Sequence, residues 1–170
     1  MEASHPSAPP YPAKAVANLL LDWAEQMRTD ITPLKMQKLL YFVHADYLIR
    51  TKLPLVKETF EAWSYGPVIP SIYEEFKIFS REKITSKASI FNPKTRSKTI
   101  PVLLLCPEDE SILRGIFGLY IGVDAGLLSA LSHRPDGPWD QALKKFNAHQ
   151  NINRSISNEL IRSAHKLASA

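Results

Sequence analysis

Few residues in this chain have types and spacings suited to chemistry. The histidines are His5, His44, His133, His149 and His165, and no HxxxH or HExxH spacing occurs among them. A metal site needs ligands brought to one face at such spacings, so none is assigned. Covalent catalysis needs a nucleophile, a positioned base and a group that orients the base. No Ser, Thr or Cys sits in a recognisable strand-to-helix elbow. His133 with Asp136 is the best local pair, and by itself it makes neither a metal nor a catalytic site. Cys106 follows a leucine run and reads as a small buried residue rather than a reactive thiol. Gln37 and His44 are seven residues apart, so on a helix they share a stripe. They either face a ligand or hydrogen-bond to neighbouring backbone, and the second reading is preferred because buried polar groups must be satisfied. No catalytic, metal-ligating or cofactor-binding residue emerges, so the reading is a non-enzymatic one with no cofactor.

The elements that would position these residues are mainly helical. Val16, Leu19, Leu20, Trp23 and Met27 recur at helical spacing and predict a first helix over 13–28. Thr32 is an N-cap and Pro33 suits a first helical position, opening a second helix. Met36, Leu39, Leu40, Val43 and Tyr47 make one face of it, and Leu34, Tyr41, Ala45 and Leu48 another. Apolar on both sides, it should be the central helix. Phe60–Trp63 alternates like a short strand, and Tyr65-Gly66-Pro67 reads as a turn. Helix 3 starts at Pro70 with a buried stripe of Ile72, Tyr73, Phe76 and Phe79. Asn92–Ser97 reads as a turn joining Ser89–Phe91 to Thr99–Leu104, and Pro101 marks the second strand as an edge or bulged one. Helix 4 follows Pro107, with a stripe of Ile112, Ile116, Leu119 and Val123, and Gly115, Gly118 and Gly122 on one side would permit close helix packing. Asp124 caps a short helix bearing Leu127, Leu128 and Leu131. Pro138 starts another with Trp139, Ala142, Leu143 and Phe146. Ser157 opens the last, with Leu160, Ala164 and Leu167. The expectation is a mainly α, compact single domain of six to seven helices with a small β-hairpin or short strands.

The chain has 170 residues and a formal charge of +4. That length is one domain, with about 70 % of the unfolded surface buried. No run of 18 apolar residues exists, so no membrane span is expected. The N-terminus lacks the basic and apolar regions of a secretory signal. A lone cysteine fits a reducing compartment, and the chain is placed in the cytoplasm. Residues 1–12 hold Pro6, Pro9, Pro10 and Pro12 and are read as a disordered leader to a domain over 13–168.

Charge is concentrated in one place. Lys77, Arg81, Lys83, Lys87, Lys94, Arg96 and Lys98 face only Glu82 between residues 77 and 98. This is either a solvated excursion or an electrostatic docking arm, with Lys87, Lys94, Arg96 and Lys98 as candidate partner-binding residues. Sequence-specific DNA reading is argued against, because a recognition helix needs an exposed polar face. The second helix offers only Lys35 and Lys38, read as exposed.

Several motifs occur together in a fixed order. They are Thr32-x-Leu34-Lys35-Met36-Gln37-Lys38-Leu39-Leu40-Tyr41, Pro54-Leu55, Glu61-Ala62-Trp63-x-Tyr65-Gly66-Pro67-Val68, Leu131-Ser132-His133 and Pro138-Trp139. In order and spacing they resemble the Panacea domain family, the SocA-like antitoxins of bacteria, over roughly residues 15–145. The resemblance implies a mainly helical domain that neutralises a cognate protein toxin by direct binding, and in some members presents it to a protease. The family is associated with phages and mobile elements. Neither the proline-rich leader nor the basic excursion belongs to the motif. Thr32, Lys35, Gln37, Lys38, Tyr41, Trp63, Tyr65, Gly66, Pro67, His133 and Trp139 are read as scaffold, since a motif shared among domains with different toxins should encode what they have in common. The alternatives are an enzyme that reverses a toxin's modification through Gln37, His44, His133 or Asp136, and a nucleic-acid-binding regulator.

Overall fold

In the computed structural model, residues 7–150 and 152–168 are described. The fold is built round the helix that the Thr32-Pro33 signal starts. Helix α2 spans Pro33–Thr51; Thr32 Oγ1 accepts from Lys35 N at 3.3 Å, and Lys52 closes the helix in the left-handed conformation. Met36, Leu39, Leu40, Val43, Ala45, Tyr47 and Leu48 are all buried. Helices α1 (Ala13–Gln26), α3 (Pro70–Phe76), α4 (Pro107–Ile121), α5 (Ala125–Ser132) and α7 (Asn158–Ala168) pack on α2. Helix α6 (Pro138–Asn147) instead covers a small antiparallel sheet. Among the described residues there are thus seven α-helices, with short antiparallel strands, in one domain.

The sheet joins β1 (Phe60–Trp63), β2 (Gly66–Val68) and β5 (Ser155–Ile156) in the order β2-β1-β5. Ser64 and Tyr65 form the two-residue turn between β1 and β2. Gly66 and Pro67, expected within the turn, are instead the first residues of β2. Pro67 fits there because β2 is an edge strand and needs no N–H on its open side. A separate hairpin pairs β3 (Ile90–Asn92) with β4 (Ser97–Thr99). Asn92 Oδ1 holds its turn by accepting from Lys94 N at 2.9 Å.

Several expectations differ from the structure. Residues 1–6 lie outside the described part, but Tyr11 at the end of the expected disordered leader is buried and bridges to Val56. Its hydroxyl donates to Asp109 Oδ2 at 2.6 Å, and Tyr47 donates to Asp109 Oδ1 at 2.8 Å. One carboxylate therefore ties the chain start to α2 and to the first turn of α4. Lys35 and Lys38 are buried rather than exposed. The inner face of α4 is Leu113, Ile116, Phe117 and Ile121, while Leu119 is exposed. Gly115, Gly118 and Gly122 line no helix contact, since a Cβ at each would meet nothing within 4 Å. Met27, Tyr73, Leu127 and Leu131 are also exposed. Cys106 is half-buried and caps α4, accepting from Asp109 N. No single helix among the described residues is long and apolar enough to cross a membrane.

Candidate functional site

The β1–β2 turn lies where three helices can reach it, and its carbonyl oxygens are met one by one. Trp139 Nε1, from the start of α6, donates to Trp63 O at 2.8 Å. His133 Nε2, just past α5, lies 3.2 Å from Ser64 O. Ser129 Oγ, within α5, donates to Tyr65 O at 3.3 Å. Lys38 Nζ, from α2, donates to Pro67 O at 3.4 Å. Trp63 pairs with Gly66 across the two-residue turn, so the indole adds a second donor to its carbonyl, whereas the carbonyls of Ser64 and Tyr65 in the loop and of Pro67 on the open side of the edge strand have no ladder partner. Four side chains from three elements meet these carbonyls.

Gly66 makes this approach possible. Its φ is +102°, a conformation side-chain-bearing residues rarely adopt. A Cβ there would lie 2.4 Å from Lys38 Nζ, 2.6 Å from Ser132 Oγ and 3.2 Å from His133 Cε1. The absent side chain is the space into which the lysine and histidine fit.

Each donor is itself held. His133 Nδ1 lies 2.5 Å from Ser129 O, and the ring stands edge-on to Trp139 at 4.1 Å. Both ring nitrogens therefore face carbonyls, and a neutral ring can donate to one at a time. Ser132 Oγ donates to Ser129 O at 2.7 Å. Trp63 donates to Glu61 Oε2 at 2.7 Å and packs on Tyr73 at 5.1 Å. Tyr65 points outward, 77 % exposed.

Lys38 is fully buried. Its amine loses hydration with no carboxylate to replace it, and this desolvation pushes its pKa down to about 8. Lys35 is also buried and donates to Val123 O just beyond α4. Its pKa is lowered by desolvation, which the nearby Asp124 opposes. Burial raises the pKa of the Tyr41 phenol, which packs edge-on against Phe60.

The Gln37–His44 stripe bonds to backbone and neighbours. Gln37 Oε1 accepts from Ile69 N at 2.9 Å, and Gln37 Nε2 donates to Ile69 O at 3.3 Å. That two-way clasp holds the link from β2 into α3. His44 Nδ1 accepts from Val56 N at 3.4 Å, so Nε2 carries the proton and donates to Asn158 Oδ1 at 2.8 Å. Burial pushes the His44 pKa down to about 4, so the ring is neutral. Asp136 is exposed, with Lys144 3.2 Å away, and does not join His133. Two surface grooves of about 490 and 520 Å³ include none of Lys38, Ser132 or His133 in their walls. No group of three or more His, Cys, Asp or Glu among the described residues is arranged to hold a metal.

The basic excursion is elsewhere. Lys87 pairs with Asp22 at 2.6 Å, Lys83 with Asp30 at 3.6 Å and Lys77 with Glu74 at 2.5 Å. Lys94, Arg96 and Lys98 sit exposed on the β3–β4 hairpin with no carboxylate partner among the described residues. Ser132 stands in the Leu131-Ser132-His133 motif, whereas Ser129 lies outside every motif the sequence displays. The signal for Ser129 is its spacing, one helical turn before His133.

The sequence model described as "Antitoxin SocA-like, Panacea domain" matches residues 36–140, which contain the turn and all four of its donors. The chain belongs to this family. The SocA antitoxin of Caulobacter vibrioides is 38 % identical over 131 residues, covering 75 % of this chain and 68 % of that protein. Among solved structures none matches. Within this Panacea domain, α2 from Met36 onward, the β1–β2 turn and the α5–α6 junction fall inside the matched span.

Proposed function

We propose that this chain is an antitoxin that neutralises a cognate protein toxin by direct, non-enzymatic binding. Membership of the SocA-like family supports the antitoxin role. One observation supports binding over catalysis. Gln37, Lys38, His44, His133 and Trp139, which include the polar groups best suited to chemistry, are bonded to carbonyls, amides and neighbouring side chains of the fold. In this reading the corner is scaffold, and the toxin is met on the outer surface, at the basic hairpin first.

Titrated co-expression with the protein encoded next to it tests this. Growth rescue and complex formation should need roughly equal amounts of the two chains, with an interface on the order of 1,600 Å². Rescue at far lower antitoxin levels, lost in His133→Ala with the fold intact, would point to an enzyme instead.

A further inference from the structure

After β4 ends at Thr99 the chain runs as far as Leu105 without helix, turn or ladder. Its side chains alternate. Ile100, Val102 and Leu104 are 56, 78 and 44 % exposed, while Pro101, Leu103 and Leu105 are half-buried. This is the pattern of a strand with one face on the body and one open. Phe91 pairs in register with Lys98 and is 58 % exposed. By alternation Phe91, Lys98, Ile100 and Val102 share a face, so an apolar strip runs out from the basic hairpin.

The backbone along this strip is also open. Pro101 O accepts from Asn18 Nδ2 at 3.2 Å and Leu104 O from Ser7 N at 2.9 Å, which fix the segment to the body. Among the described residues, the N–H groups of Val102 and Leu104, which alternation puts on one side of the segment, donate to no other group, and Ser7 holds the Leu104 carbonyl at the end of that side. Such an edge invites an added strand, with main-chain bonds for affinity and alternate side chains for selectivity. Its charge selects the strand. Lys94, Arg96 and Lys98 repel a second copy of the same edge and attract acidic side chains.

We propose that Ile90–Leu105 takes up one extended, acidic and aliphatic segment of the toxin as an added strand. Its aliphatic side chains lie over Phe91, Ile100, Val102 and Leu104, and its carboxylates meet Lys94, Arg96 and Lys98. This rests on the reading that the chain binds a protein toxin.

Amide hydrogen exchange of the full chain, alone and with the protein encoded next to it, tests the proposal. Residues 97–105 should gain protection on complex formation. Val102→Pro removes one N–H at an exposed position and should weaken binding about tenfold, while Val102→Ala should stay within about threefold. Joint reversal of Lys94, Arg96 and Lys98 to Glu should slow association about tenfold, less at high salt. A tight complex whose protection lies elsewhere, with Val102→Pro binding normally, overturns the strand proposal and leaves the antitoxin reading standing. Absence of any complex overturns both. Protection of 102–105 in the protein alone that depends on residues 1–6, or dimerisation through this edge, gives the edge to the chain itself and overturns the proposal.

Discussion

The β1–β2 corner and the β3–β4 arm are both short hairpins, and they treat their polar atoms in opposite ways. At the corner, the carbonyls of Trp63, Ser64, Tyr65 and Pro67 each meet a side-chain donor from a helix. On the arm and the strip beyond it, three cations and the Val102 N–H have no partner among the described residues. A structure that satisfies one turn so fully and leaves the other open separates holding the fold from meeting a partner. Polar groups bonded internally cannot also recognise something else without breaking the fold.

The largest expected effect lies at Gly66. Gly66→Val must place Cβ against Lys38 and Ser132 at φ +102°, costing at least about 3 kcal/mol in strain and overlap. Against a typical stability of about 5–15 kcal/mol this should abolish or severely weaken cooperative unfolding, read by circular dichroism. Trp63→Ala should fail in the same way, with activity lost as a consequence. A well-folded Trp63→Ala protein that fails to bind would move the corner into the binding surface.

Next come two pH windows. His44 is held at about 4 in the fold and near 6.5 when unfolded, so the unfolded chain binds more protons between these values. Stability should therefore be full above about pH 6.5 and fall as pH drops towards 4, by about 3 kcal/mol at most. Lys38 is lowered to about 8 from 10.5, so its cost is present below pH 8 and is relieved as pH rises towards 10.5. The difference in unfolding free energy between Lys38→Met and the parent should change across pH 8–10.5, by about 3 kcal/mol at most. No change there would mean that the amine reaches water.

Smaller effects sharpen the contrast. Trp139→Phe removes the indole donor from Trp63 O, which keeps its ladder partner, and should cost about 0.5–1.5 kcal/mol in thermal or urea unfolding. Joint reversal of Lys94, Arg96 and Lys98 to Glu should change stability by no more than about 0.5 kcal/mol, since these are exposed positions.

Sequence pattern made α2 legible because its signals are local: a Thr cap, a proline at the first position and apolar residues on two faces. The family motif was legible as well, and it located the corner. The donors were harder to see. Lysines on a helix normally mark solvent, yet Lys35 and Lys38 both bond carbonyls brought in from distant elements. Tyr11 sits among prolines that mark a free leader, but its partner Asp109 is 98 residues away. Leu119, Leu127 and Leu131 fit apolar stripes and are exposed, because neighbouring positions, Leu113, Phe117 and Leu128, took the core. Each miss comes from a long-range contact that local periodicity does not encode.

The separation of scaffold from binding surface is tested most directly by the affinity of Trp139→Phe for the protein encoded next to it, measured per folded molecule by calorimetry. The expected result is a lowered melting temperature with affinity within about threefold of the parent, on the order of 0.6 kcal/mol. An unchanged melting temperature with binding lost would contradict it.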